Sequence, residues 1–99
     1  MINDFLEYLR INYYHRESYS PIISEKIISI FNKLDDYEKA IDFFYDNEEA
    51  LVEQYNKHVD KNYNDGQKFS YFLSIWVNTY NNRKYSSYIL AKKIMQEDK

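Results

Sequence analysis

The chain contains a single glycine and a single proline among its 99 residues, and this scarcity constrains its fold more than any other feature. Antiparallel sheets need tight turns, and tight turns draw heavily on these two residue types. Here they are Gly66 and Pro21. The composition therefore argues against an all-β fold and directs attention to helices.

Apolar residues recur at helical spacing along nearly the whole chain. A domain of this length has room for one hydrophobic core. We expect an all-α fold, a compact bundle of five or six short helices in a single domain over residues 1–99. The main stripes are Ile2, Phe5, Leu6, Leu9 and Tyr13; Ile23, Ile27, Ile30, Phe31 and Leu34; Ala40, Ile41 and Phe44, with Tyr37 and Tyr45; Leu51, Val52, Tyr55 and Val59; and Phe69, Phe72, Leu73, Trp76 and Tyr80.

Residues that cap helices divide these stripes into elements. Proline in a first turn also marks a helix start. An Asn/Asp/Gly-rich segment over 62–66 predicts a loop, and two asparagines at 81–82 leave open whether residues 66–97 form one helix or two. The predicted starts are Asn3, Ser20 with Pro21, Asp35 with Glu38, and Asp46 with Glu49.

Charge is unevenly distributed along the chain. Residues 35–53 hold eight acids against Lys39 alone, a net charge of −7, whereas residues 54–99 carry eight bases and four acids, a net charge of +4. Four of these acids follow one another at intervals of four, three and four residues, which would place them on one side of a continuous helix. We predict an acidic docking patch for a basic partner, formed by Asp42, Asp46, Glu49 and Glu53. A metal cage, a DNA-mimicking surface or a merely solvated face are the alternatives.

Aromatic residues are unusually abundant, with twelve tyrosines, six phenylalanines and one tryptophan. Most lie on the core stripes, but some apolar positions lie off them. Tyrosine is enriched at binding surfaces because it combines area, stiffness and a hydroxyl. We predict a partner-binding aromatic surface formed by Tyr8, Ile11, Tyr14, Tyr71 and Ile75, although for the last two central burial in the bundle is the stronger explanation.

Residues Asp60, Asn62 and Asn64 match the first three ligand positions of a calcium-binding EF-hand loop. The match to the EF-hand pattern then fails, because Asp65 occupies the position of the glycine and Tyr71 occupies the position of the bidentate acid. An ordinary inter-helix turn, with at most weak ion binding over 60–66, is the simpler interpretation.

Neither histidine has an acid three or four residues away to form a catalytic or zinc site. No cysteine is present, and one glycine cannot build a phosphate-binding loop. We therefore predict no catalytic residue, no metal site and no cofactor.

The basic C-terminal third interleaves cations with tyrosines, a pattern that suits single-stranded nucleic acid. The acidic overall charge of −3 weakens this interpretation. The residues concerned are Lys68, Arg83, Lys84, Lys92 and Lys93, with Tyr80, Tyr85 and Tyr88.

The chain begins without a secretory signal pattern, and its most apolar stretch is far shorter than a membrane span. We expect a soluble protein of the bacterial cytoplasm. The preference for Tyr, Ile, Asn and Lys indicates an A/T-rich genome, such as a low-GC bacterium, one of its phages or a plasmid.

These features favour a non-enzymatic protein that binds a larger protein stoichiometrically. Phage anti-defence inhibitors, including anti-CRISPR proteins, have this general character, but the chain shows no motif of any such family, so the analogy is one of type. The alternatives are a self-associating structural protein or homodimer, a helical bundle of the bacteriocin-immunity type, and a nucleic-acid-binding regulator that uses the basic C-terminal third.

Overall fold

One long C-terminal helix organises the fold, and the other helices pack against it. The structure is a computed structural model that describes the backbone of residues 1–97 and the side chains of residues 1–83. The helices are α1 (Ile2–Leu9), α2 (Pro21–Phe31), α3 (Tyr37–His58) and α4 (Asp65–Glu97), and a π-helical turn (Arg10–Tyr14) extends α1. The all-α prediction is confirmed, with no strand among residues 1–97. The described chain forms four helices rather than the expected five or six.

The number is lower because the chain stays helical at two positions where the sequence allowed a break. The expected restart at Asp46 coincides with a kink that joins two helical segments of α3, where Asn47 has the non-helical angles φ −122° and ψ 15°. At this kink the Asn47 side chain donates to the carbonyl of Phe43 at 2.9 Å, a local side-chain bond that competes with the backbone ladder. Asn81 and Asn82 lie within α4, so residues 66–97 belong to one helix.

Two of the predicted caps are wrong by one residue or more. The side chain of Asp36, not Asp35, accepts from the backbone N–H of Lys39 at 3.1 Å and caps α3. The first helix begins directly after Met1 without any side-chain cap, so Asn3 lies inside it. Both are local shifts that leave the apolar stripes in place.

The start of α2 is as predicted. Ser20 Oγ accepts from the N–H of Ile23 at 3.2 Å, and Pro21 is the first helical residue. Helix α4 begins with a reciprocal capping pair that was not predicted from the sequence. Asn64 Oδ1 accepts from the N–H of Gln67 at 2.8 Å, and Gln67 Oε1 accepts from the N–H of Asn64 at 2.9 Å. Gly66 therefore lies in the first turn of α4 rather than in the loop.

The π-helical turn changes which side chains face inward. The N–H of His15 donates to the carbonyl of Arg10 at 2.7 Å, a five-residue step that inserts one extra residue into the turn. His15 then ends the turn in the left-handed region, with φ 60° and ψ 32°. Because of the extra residue, Tyr14 turns into the core and lies 5.0 Å from the ring of Phe69.

The core lies around Trp76 of α4. Its indole is fully buried, its Nε1 donates to the carbonyl of Ala40 at 2.9 Å, and its ring meets the edges of Phe5 and Phe44 at 5.1 and 5.9 Å. Contacts of α4 with both α2 and α3 bury two of its faces. The buried core side chains are Phe5, Leu9, Tyr14, Ile23, Ile27, Ile30, Phe31, Leu34, Ala40, Ile41, Phe44, Leu51, Phe69, Phe72, Leu73, Ile75, Trp76, Val77 and Tyr80.

Candidate binding surfaces

The side of α3 that points away from the core carries the predicted acidic residues, which we call the acidic face. Its members Asp42, Asp46, Glu49 and Glu53 are all exposed, whereas Ala40, Phe44 and Leu51 of the same helix are buried. Glu53 forms an ion pair with Lys57 at 3.4 Å. Within residues 1–83 the other three carboxylates form no ion pair. These three carboxylates therefore face solvent along α3.

Aromatic rings border the acidic face on both flanks. On the side of α1, Tyr45 is 45% exposed and its ring lies 5.8 Å from Phe5 and 5.3 Å from Tyr8. On the side of α4, the half-buried ring of Phe43 has the guanidinium of Arg83 5.5 Å from its centre. The same flank forms an open groove of about 590 Å³, which Asp42, Asp46, Phe43 and Arg83 help to line.

A carboxylate of α3 also holds α1 in place. Tyr8 Oη donates to Glu48 Oε2 at 2.6 Å, and the hydroxyl of Tyr13 donates to the same oxygen. The hydrogen bond to Glu48, together with partial burial, raises the pKa of Tyr8 to about 12. Burial and the same carboxylate raise the pKa of Tyr13 as well. The network fixes the orientation of both rings, of which that of Tyr8 lies beside Tyr45.

The predicted aromatic surface is only partly a surface. Ile11 is 55% exposed, and Tyr8 and Tyr71 are half-buried. Tyr14 is buried in the core, so its predicted place on the surface is wrong, and Ile75 has the central burial given as the alternative for it. The π-helical turn buries Tyr14, and the packing of α4 between two helices buries Ile75.

A second apolar groove contains Tyr71. Its ring lies 6.2 Å from both Tyr55 and Tyr63, and the groove of about 740 Å³ runs between the starts of α2 and α4. Ile22 lines the same groove and is 72% exposed. Self-association of the chain through such a surface stays a prediction.

The loop before α4 resembles a turn more than an ion site. Asp60 Oδ1 accepts from the backbone N–H of Asn62 at 2.9 Å, which is the geometry of an Asx turn. Among the described residues, no group of three or more His, Asp or Glu side chains is arranged to hold a metal ion. His15 and His58 are both exposed, and His58 lies in the last turn of α3, where the helix dipole favours a basic group.

The predicted basic and aromatic C-terminal surface is described only in part. Tyr80 is buried, Lys68 is half-buried and Arg83 is exposed. The side chains of Lys84, Tyr85, Tyr88, Lys92 and Lys93 lie outside the described residues. None of the helices, as far as the structure describes them, is long and apolar enough to cross a bilayer.

Comparison with known proteins identifies no relative. No family model, no curated protein and no solved structure matches the chain. The surfaces themselves are therefore the basis for a functional proposal.

Proposed function

We propose that this protein acts without catalysis, by binding a larger protein through the acidic face of α3. The observation that carries the proposal is a set of three exposed carboxylates that form no ion pair within residues 1–83, namely Asp42, Asp46 and Glu49. Complementary charge across an interface raises the association rate and excludes wrong partners. The chemistry of the partner follows from this: it presents a basic surface.

Charge alone gives little affinity, because exposed ion pairs contribute about 0–1 kcal/mol each. The aromatic flank supplies the apolar area that an interface core needs. Tyr45 is exposed enough to be buried by a partner, and it packs against Tyr8. Because Glu48 holds the hydroxyl of Tyr8, the side chain of Tyr8 loses little entropy on binding.

A stoichiometric inhibitor fits this arrangement. Proteins that bind nucleic acids present basic surfaces, and an acidic face can occupy such a surface in place of the nucleic acid. We propose an inhibitor of the phage anti-defence type, of which anti-CRISPR proteins are an example. The preference for residues that A/T-rich genomes encode, together with the acidic face, supports this assignment.

The proposal is tested by the affinity for a fluorescein-labelled peptide rich in lysine and arginine. The double variant D42N/E49Q removes two charges from the acidic face, and E17Q/E25Q removes two exposed charges elsewhere. At low salt we expect D42N/E49Q to weaken binding by about five- to tenfold, from two surface pairs of roughly 0.5 kcal/mol each or slightly more.

The matched control E17Q/E25Q should change the affinity by less than about twofold. Tyr45→Ala should also weaken binding, because it removes the aromatic flank without altering charge. Equal losses in the two double variants would show that the peptide responds to net charge alone, and the proposal would be wrong.

A further inference from the structure

A cleft of about 410 Å³ lies between the π-helical turn, the end of α3 and the start of α4. Its inner surface is aromatic: the ring of Tyr13 stacks on Phe72 at 4.4 Å, and Tyr55 meets Phe72 at 5.6 Å. Phe69 and Val52 complete the apolar lining. Pockets for small ligands usually measure about 300–1,000 Å³, so this cleft suits a small molecule.

Positive charge lies at the mouth of the cleft. Lys68 is half-buried there and forms no ion pair within residues 1–83. It lies in the first turn of α4, where the helix dipole disfavours a cation. The positive charge of Lys68 therefore destabilises the start of α4 slightly.

The second cation, Arg16, has a weak partner. Its Nη2 lies 3.2 Å from Asp65 Oδ2, and both side chains are more than half exposed. An exposed pair of this kind contributes little and separates readily. The mouth thus carries one excess positive charge, which a single anionic group would neutralise.

The backbone at the mouth has an unusual conformation. The π-helical turn Arg10–Tyr14 forms one wall, and His15 follows it at φ 60°. π-helical turns occur frequently at functional sites, and a left-handed conformation in a residue other than glycine stores strain. The side chain of Arg10 holds this segment, since its Nη1 donates to the carbonyl of Arg16 at 2.6 Å.

We propose that this cleft binds a small organic acid, with its apolar body against Phe69 and Phe72 and its carboxylate beside Lys68. The aromatic inner surface favours an apolar ligand body, because polar groups placed against Phe69 and Phe72 would lose water without gaining partners. Asp65 at the mouth disfavours a second negative charge. The ligand class is therefore a monoanion with a compact apolar body, and the site is independent of the acidic face.

The proposal is tested by isothermal titration calorimetry with 3-phenylpropionate, and with the neutral 3-phenylpropan-1-ol as its uncharged counterpart. We expect saturable binding of the acid and at least tenfold weaker binding of the alcohol. Lys68→Gln should weaken binding of the acid about tenfold, the effect of losing one charge-assisted contact. Lys33→Gln makes the same change in charge at an exposed site outside the cleft and should leave the affinity unchanged.

A second variant tests the location without altering charge. Asn56 is exposed at the mouth, so Asn56→Trp should obstruct the cleft and abolish binding while the helical circular dichroism is kept. The proposal is overturned if the acid gives no saturable heat, if the alcohol binds equally well, or if Lys33→Gln weakens binding as much as Lys68→Gln. Undiminished binding to Asn56→Trp would also overturn it.

Discussion

Replacement of Glu48 by glutamine tests the network that joins α1 to α3. In the native protein one carboxylate oxygen accepts the hydroxyls of Tyr8 and Tyr13. A hydrogen bond to a charged group contributes about 1.5–3 kcal/mol, and a neutral one about 0.5–1.5 kcal/mol. Glutamine keeps an acceptor oxygen of the same size, so each bond loses roughly 1 kcal/mol.

The half-burial of both tyrosines reduces this loss, because water replaces part of each bond. We therefore expect Glu48→Gln to lower the free energy of unfolding by about 1–2 kcal/mol. Urea denaturation followed by circular dichroism measures this change, with an unchanged dependence on urea concentration. The neighbouring variant Glu49→Gln, which removes an exposed carboxylate without an ion pair in residues 1–83, should cost less than about 0.5 kcal/mol.

A double-mutant cycle isolates the interaction itself. Tyr13→Phe should cost less in the Glu48→Gln background than in the native protein, because its hydrogen bond is already weakened there. Strictly additive effects, or equal stabilities of Glu48→Gln and Glu49→Gln, would refute the structural role assigned to this carboxylate.

Further predictions concern single positions. Ser20→Ala removes the cap of α2 and should lower the free energy of unfolding by about 1 kcal/mol in urea denaturation; no change would contradict the capping role. His15→Gly should raise the melting temperature, since glycine relieves roughly 1 kcal/mol of strain at φ 60°, and a lower melting temperature would speak against strain there. Ile27→Ala should destabilise by about 2–5 kcal/mol because it empties a core site, whereas the exposed Ile22→Ala should change stability by less than about 0.5 kcal/mol; similar losses at both would contradict the assigned burial. The pKa of Tyr8 rises from 10.0 to about 12 in the folded state, so the stability linked to its proton is complete below the lower value and is lost as the pH rises through the higher one. Tyr8→Phe should therefore lose less stability than the native protein across this alkaline range, and identical pH profiles would refute the linkage.

Helical spacing predicted the fold class and most of the core. The stripes of α2 and α4 are buried as expected, from Ile23 to Leu34 and from Phe69 to Tyr80. Such stripes can be predicted from the sequence because burial on one side of a helix imposes a period of 3.6 residues on the apolar positions. The cap at Ser20 could be predicted for a different reason, because a helix cap depends on residues that are adjacent in sequence.

The features that sequence reasoning missed arise from tertiary contacts or from backbone irregularities. Glu48 meets Tyr8 and Tyr13 across 40 and 35 residues, and no local pattern connects such positions. The π-helical turn rotates Tyr14 into the core against its α-helical phase. Asp46 with Glu49 has the spacing of a helix start, and the structure has a kink at Asn47 there rather than a loop between two separate helices.

Direct mapping of the basic peptide on the protein tests the central claim that the acidic face of α3 is the binding surface. The measurement is a titration of isotope-labelled protein with the peptide at low salt, in which the backbone amide signals are followed by nuclear magnetic resonance. Saturable shifts should centre on Asp42, Asp46 and Glu49 and extend to Tyr45. Shifts that centre on residues around Glu17, or that leave α3 unchanged at saturation, would contradict the proposed function.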